Sequence, residues 1–213
     1  MPSSTRQLLD TFLDTTQYKI IPLTAKGVSE GCKVFGAAIF DKASLKPVVV
    51  ATNEEKTSPI LHGEINCIQQ FYQIDQAERP EAKDCIFFAT HEPCSLCLSG
   101  ITWSGFDNFS YLFTYQDTRD AFSIPHDIDI LEQVFRVSSK CSQETPKDLS
   151  ERPLYNKVNK FFTSQSVQDL IDAMDDESER ASYEKRANDV KAMYNSLSET
   201  YQNGKGGVGI PLA

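Results

Sequence analysis

The chain has 213 residues, 40% of them apolar and 24% charged, enough for one ordinary core plus an extension and too apolar for wholesale disorder. Thirty acidic against 21 basic residues give a net charge of -9, a poor composition for a generic polyanion binder, because phosphate affinity rests on clustered Lys and Arg. The longest apolar run, Val34 to Phe40, is far too short to cross a bilayer, and MPSSTRQLLDTFLD lacks the regions of a secretory leader. A reducing location, cytoplasmic or nuclear, is therefore expected. The six cysteines at 32, 67, 85, 94, 97 and 141 are then thiols or metal ligands rather than staples.

Ser4-Thr5-Arg6-Gln7 matches a capping box, and Leu8, Leu9, Phe12 and Leu13 follow at helical spacing, predicting a helix over 4–15. KVFGAAIF (33–40) and PVVVAT (47–52) read as two strands of a hairpin around a turn-rich segment. Ile65, Ile68, Phe71 and Tyr72 mark one face of a helix over 62–74. CIFFA (85–89) is a buried strand, Cys94 to Trp103 a helix opened by Pro93, and FSYLFTY (109–115) a fourth strand. A further helix is expected over 127–137. Alternating strands and helices define an α/β sandwich, part hairpin and part parallel. Past residue 142 strand formers thin out. Tyr183, Ala187, Val190, Tyr194, Leu197 and Tyr201 then recur in steps of three and four, one apolar stripe that docks on its own domain or on a second subunit. These shifts divide the chain into a domain over 1–142, a helical extension over 143–203 and a loose tail over 204–213.

The chemistry lies in His62-Gly63-Glu64 and, after 28 intervening residues, Pro93-Cys94-Ser95-Leu96-Cys97. Cysteines three apart share a helix face, so two sulfurs and one imidazole nitrogen can converge on a single ion. A helix N-terminus also favours thiolate over thiol. Three protein ligands leave a fourth position open, as in catalytic zinc sites, and Glu64 is near enough to serve as a base without being a ligand. A structural site would instead draw a fourth ligand from the spare cysteines. Cys67 and Cys85 fall on apolar faces, however, where they read as small buried hydrophobes.

His-x-Glu followed by Pro-Cys-x-x-Cys is the mark of zinc-dependent nucleobase deaminases. The stretches Pro59 to Glu64, Asp84 to Thr90 and Glu92 to Trp103 resemble the cytidine/deoxycytidylate deaminase superfamily, most closely its guanine deaminase and tRNA adenosine deaminase branch. The likeness covers about residues 33–137. It implies a three-layer α/β/α sandwich with a mixed five-stranded sheet, usually in dimers or larger assemblies, here with an added helical C-terminal region. It also implies zinc on His62, Cys94 and Cys97, with Glu64 as proton shuttle. Asn53 matches a substrate-binding asparagine, or is a turn residue. Trp103 is a pocket wall or a core aromatic. Asp127 matches a base-recognising aspartate, or caps a helix. His91, which departs from the family's usual residue there, touches substrate at the mouth of the site or is a satisfied polar residue.

The expected activity is hydrolytic deamination of a nucleobase or nucleoside, with a purine of the guanine or guanosine type favoured by Trp103 and Asp127. Cytosine or cytidine, and adenosine in tRNA, are the alternatives. Acidity and dispersed basic residues speak against nucleic acid, and nothing suggests a membrane partner. A homodimer is expected. A noncatalytic subunit of a heteromeric complex is the other reading, although such subunits often lack the glutamate that is kept here.

Overall fold

The computed structural model describes residues 4–138, 144–205 and 209–212. Cys141 and the boundary expected after residue 142 lie outside the described residues. Ser4 caps α1 (Thr5–Thr15): Gln7 N–H donates to its Oγ at 3.2 Å, and Ser4 N–H donates to Gln7 Oε1 at 2.9 Å. The chain stays helical through Thr16–Ile20 into α2 (Ile21–Ser29), which the sequence patterns left unmarked. β1 (Gly36–Asp41) and β2 (Pro47–Thr52) form the expected antiparallel hairpin. Next come α3 (Gly63–Gln73), β3 (Cys85–His91), α4 (Ser95–Trp103) and β4 (Asn108–Phe113). α5 (Tyr115–Phe122) precedes α6 (His126–Ile130), whose helical path runs on through Phe135. α7 (Pro146–Glu151), β5 (Thr163–Ser166), α8 (Val167–Asp172), α9 (Glu177–Ala192) and α10 (Asn195–Gly204) complete the described chain.

The strands form one mixed sheet in the order β2-β1-β3-β4-β5. β1 is antiparallel to both neighbours, and β3, β4 and β5 run parallel. Side-chain alternation sends Ala37, Ile39, Phe87 and Phe109 to one face, where Cys67, Ile68 and Phe71 of α3 and Ile101 of α4 cover them. Ala38, Phe40 and Phe88 go to the other, under Leu9, Phe12 and Leu13 of α1 and the helices after β5. This is the expected three-layer sandwich. Phe12 stacks on Phe88 at 4.6 Å between ring centroids, and each such buried aromatic contributes about 1.5–3 kcal/mol. Cys67 and Cys85 are buried in the first of these cores, as small apolar side chains.

The sheet does not end where the composition changes. β5, from residues 163–166, lies in register beside β4 as the fifth strand, so the region after residue 142 is not purely helical. The stripe from Tyr183 to Tyr201 packs into the core that α1 also fills, and the C-terminal helices therefore dock on their own domain.

Candidate active site

Two helix starts meet at the site. β2 ends at Thr52, and the loop after it carries Asn53 and then His62, which caps α3 with extended backbone. β3 runs into Glu92-Pro93-Cys94, and Cys94 caps α4 in the same way, with Cys97 in the first turn. His62 and Cys94 thus stand one residue outside their helices, where free N–H groups and the helix dipoles favour anionic ligands. Gly63 is required for this approach. A Cβ there would lie 2.8 Å from Gly36 Cα and 3.1 Å from both Gly36 N and Phe35 O, all backbone atoms that cannot swing aside.

The donor atoms of His62, Cys94 and Cys97 all lie within 4.8 Å of one another. Cys94 Sγ is 3.5 Å and Cys97 Sγ 3.6 Å from His62 Nδ1. A tetrahedral zinc with sulfur at about 2.3 Å and nitrogen at about 2.0–2.1 Å separates those atoms by about 3.5 Å. The donor set fits the ion in kind and in spacing, with Nδ1 as the imidazole ligand. Hydrogen bonding from Cys97 and the adjacent His62 imidazole hold the Cys94 thiol well below the usual thiol range despite its burial.

Glu64 follows one residue into α3 and is 5% exposed. Burial, with the Cys94 thiolate adding to it, raises its carboxyl to about 7. Asp127 interacts electrostatically with Cys94, Glu64 and His62: burial first, then the Cys94 and Glu64 charges, raise it to about 7, against the opposing pull of His62. It is the second residue of α6, whose cap is Pro125, so the helix-capping reading of Asp127 does not hold. Asn53 is fully buried. Its Oδ1 accepts from Gly63 N–H at 2.6 Å, while its Nδ2 has no partner among the described residues.

Two expected residues lie elsewhere. His91 is 3% exposed and shut in by the rings of Phe35, Phe113, Phe122 and Tyr194, with centroids 4.6–5.7 Å away. It belongs to the aromatic core rather than the mouth of the site, and burial drives its pKa well below the ordinary histidine value. Trp103 ends α4 with 91% of its surface exposed, neither pocket wall nor core.

Sequence reasoning missed a buried ion pair beside the site. Lys33 Nζ donates to Glu55 Oε1 at 2.8 Å and Lys33 N–H to Glu55 Oε2 at 2.7 Å, with both residues buried. Its field reaches Asp127. A lysine opening a strand and a glutamate in a loop carry no spacing signal. Glu92 was also passed over. Its buried carboxylate accepts from Tyr155 Oη at 2.7 Å and Tyr115 N–H at 3.1 Å, which braces the turn before Cys94. Its place in Glu-Pro-Cys was the available clue.

A five-stranded α/β/α sandwich with a His-Cys-Cys donor set on two helix starts and a buried glutamate beside it is the arrangement that the His-x-Glu and Pro-Cys-x-x-Cys pattern leads one to expect. Residues 18–113 match the family model described as cytidine and deoxycytidylate deaminase zinc-binding region. The matched stretch, a little under half of the chain, holds His62, Glu64, Cys94 and Cys97. Among solved structures, a mutant of NE0047 in complex with 8-azaguanine aligns over 86% of this chain and 84% of its own, at 14% identity and a TM-score of 0.51. It shares the fold. Guanine deaminase from Nitrosomonas europaea aligns over 85% and 92%, at 14% identity and a TM-score of 0.44. Guanine deaminase from Bacillus subtilis aligns over 66% and 88%, at 22% identity and a TM-score of 0.48. No curated protein sequence matches the chain. No helix among the described residues is long and apolar enough to cross a membrane.

Proposed function

We propose that the chain is a hydrolytic deaminase of a free purine base or nucleoside of the guanine type. His62, Cys94 and Cys97 hold zinc, and Glu64 moves the protons. The observation that carries this reading is the placing of a buried carboxyl, poised near neutrality, beside a three-donor site whose S–N spacings of 3.5 and 3.6 Å suit zinc. Bound zinc supplies a Lewis acid that lowers the pKa of water into the neutral range. Glu64 takes a proton from the attacking water and delivers it to the ring nitrogen beside the carbon under attack. It then passes the remaining hydroxyl proton to the amine, so that ammonia leaves and a carbonyl stays on the ring. A carboxyl raised by burial suits this double duty, because it takes up a proton more readily than an exposed carboxylate and can return it to the substrate.

Asn53 and Asp127 favour a guanine-type edge. The unpaired Asn53 Nδ2 is a donor for a ring nitrogen or carbonyl, and the Asp127 carboxylate is an acceptor for N–H groups. Guanine presents both kinds of group, whereas cytidine, whose N1 is bonded to the sugar, lacks a ring N–H. The NE0047 mutant that shares this fold is a complex with 8-azaguanine. Ammonia release from the zinc-loaded chain, measured across guanine, guanosine, adenine, adenosine, cytosine and cytidine, tests the reading. Fastest release from guanine or guanosine is expected, and silence across the panel would leave a noncatalytic subunit.

The exposed face of α4 supports the dimer expected from the resemblance. Leu96 and Trp103, seven residues apart, share an exposed face, and SLCLSGITW carries no charge. In a chain of net charge -9, an uncharged face is where two copies repel least. Sedimentation of Trp103→Ser as a monomer, beside a dimeric parent, is the expected result.

A further inference from the structure

A cavity of about 630 Å³ lies between β4, α5, α6 and the segment 150–157. None of the metal-site residues lines it, nor do Asn53 or Asp127. Its size is that of a small-molecule site. Arg119, Arg136, Arg152 and Lys157 contribute four cations, unusual company in so acidic a chain. Arg136 is fixed: its guanidinium donates to Ser150 O and Arg152 O, both at 3.0 Å, and its buried Nε has no partner among the described residues. Arg119, Arg152 and Lys157 sit about half exposed at the rim, each paired with an acidic residue outside the cavity. Exposed pairs of that kind are weak and exchange readily for a better anion.

The carboxylates of the lining are already engaged. Both Glu92 oxygens accept hydrogen bonds, Glu132 pairs with Arg136 at 3.3 Å, and Glu151 with Lys147 at 3.7 Å. The rings of Tyr111, Tyr115 and Tyr155 supply the apolar wall, and Lys157 Nζ stands 5.5 Å from the Tyr111 centroid. Tyrosine rings and guanidinium groups lining one cavity match a planar base joined to a phosphate.

We infer that this cavity is a second ligand site, which takes a mononucleotide with its base against the tyrosines and its phosphate on Arg119, Arg136 and Lys157. The bound ligand rests on Tyr115, whose hydroxyl donates to the Pro93 carbonyl just before Cys94. The inference does not rest on turnover. Inosine monophosphate and uridine monophosphate carry no exocyclic amine, so neither can be deaminated.

Equilibrium dialysis of both nucleotides against the zinc-loaded full chain tests the site. Saturable binding is expected, weakened at least about tenfold, or 1.4 kcal/mol, by Arg119→Glu and by Lys157→Gln, and by removal of the phosphate to give inosine or uridine. Binding in Glu64→Gln is expected to match the parent, and excess guanine is expected not to displace the nucleotide. Absence of binding, indifference to both rim variants, or displacement by guanine would overturn the inference. Inorganic phosphate binding as tightly as the nucleotides would also overturn it, since the rings would then contribute nothing.

Discussion

Asn53 Oδ1 accepts a hydrogen bond from Gly63 N–H at 2.6 Å, across the loop that joins β2 to α3. The backbone of Asn53 is fixed as well, its N–H donating to Phe35 O at 3.1 Å. One side chain therefore positions the turn that carries His62 and Glu64, and its Nδ2 has no partner among the described residues. Asn53→Asp keeps the acceptor for Gly63 and loses the donor. The fold should survive, while KM for the preferred base rises about 10–100-fold, the worth of a lost hydrogen bond plus an added repulsive charge. Asn53→Ala also strands a buried N–H, and a loss of about 1–3 kcal/mol is expected in urea unfolding.

Gly63 sets the distance between α3 and β1. Because the three atoms nearest its missing Cβ belong to the Gly36 and Phe35 backbone, Gly63→Ala must push the helix start away from the strand. Overpacking of this kind costs about 1–3 kcal/mol. Zinc affinity should fall with it, since His62 moves too, and competition with a chromophoric chelator measures that loss.

His91 gives the fold a defined response to acid. Its aromatic enclosure holds its pKa well below the ordinary value. Below about pH 6.5 the unfolded chain therefore takes up a proton that the folded chain refuses. The stability held above that pH drains away as the pH falls, by up to about 1.4 kcal/mol per unit. His91→Phe removes this contribution. The unfolding free energy of the variant should gain on the parent steadily between pH 6.5 and 5, as followed by urea midpoints.

Tyr155 ties the segment before β5 to the turn before Cys94 through Glu92. In Tyr155→Phe a buried carboxylate loses a donor, at a cost of about 1.5–3 kcal/mol. Calorimetry should record a lower Tm, with guanine KM little changed, because Tyr155 touches the Glu92 brace and does not reach the zinc site.

What could be read in advance follows from how local each signal is. The His-x-Glu and Pro-Cys-x-x-Cys groups are set by one helix start each, and the stripe from Tyr183 to Tyr201 by helical spacing alone, so all of these were legible. β5 was not, because Thr-Ser-Gln-Ser shows neither apolar alternation nor β-branched enrichment; pairing with β4 makes it a strand. The position of Trp103 was decided by Ile101. With Cys97 and Ile101 buried, a residue two further on lies about 200° around the helix and faces solvent. His91 defeats strand parity. Alternation from Cys85 and Phe87 puts it on the α3 side, yet at the end of the sheet Leu112 and Phe113 both turn to the opposite core, and His91 goes with them. The Lys33–Glu55 pair spans 22 residues with no repeating pattern, so only the folded chain reveals it.

The central claim is that Glu64 transfers protons beside a zinc held by His62, Cys94 and Cys97. Its most direct test is the rate of ammonia release from guanine per bound zinc, compared between the parent chain and Glu64→Gln. The expected result is one zinc per chain in both proteins, with release in the variant reduced at least about a hundredfold. Equal rates at equal zinc content would contradict the account.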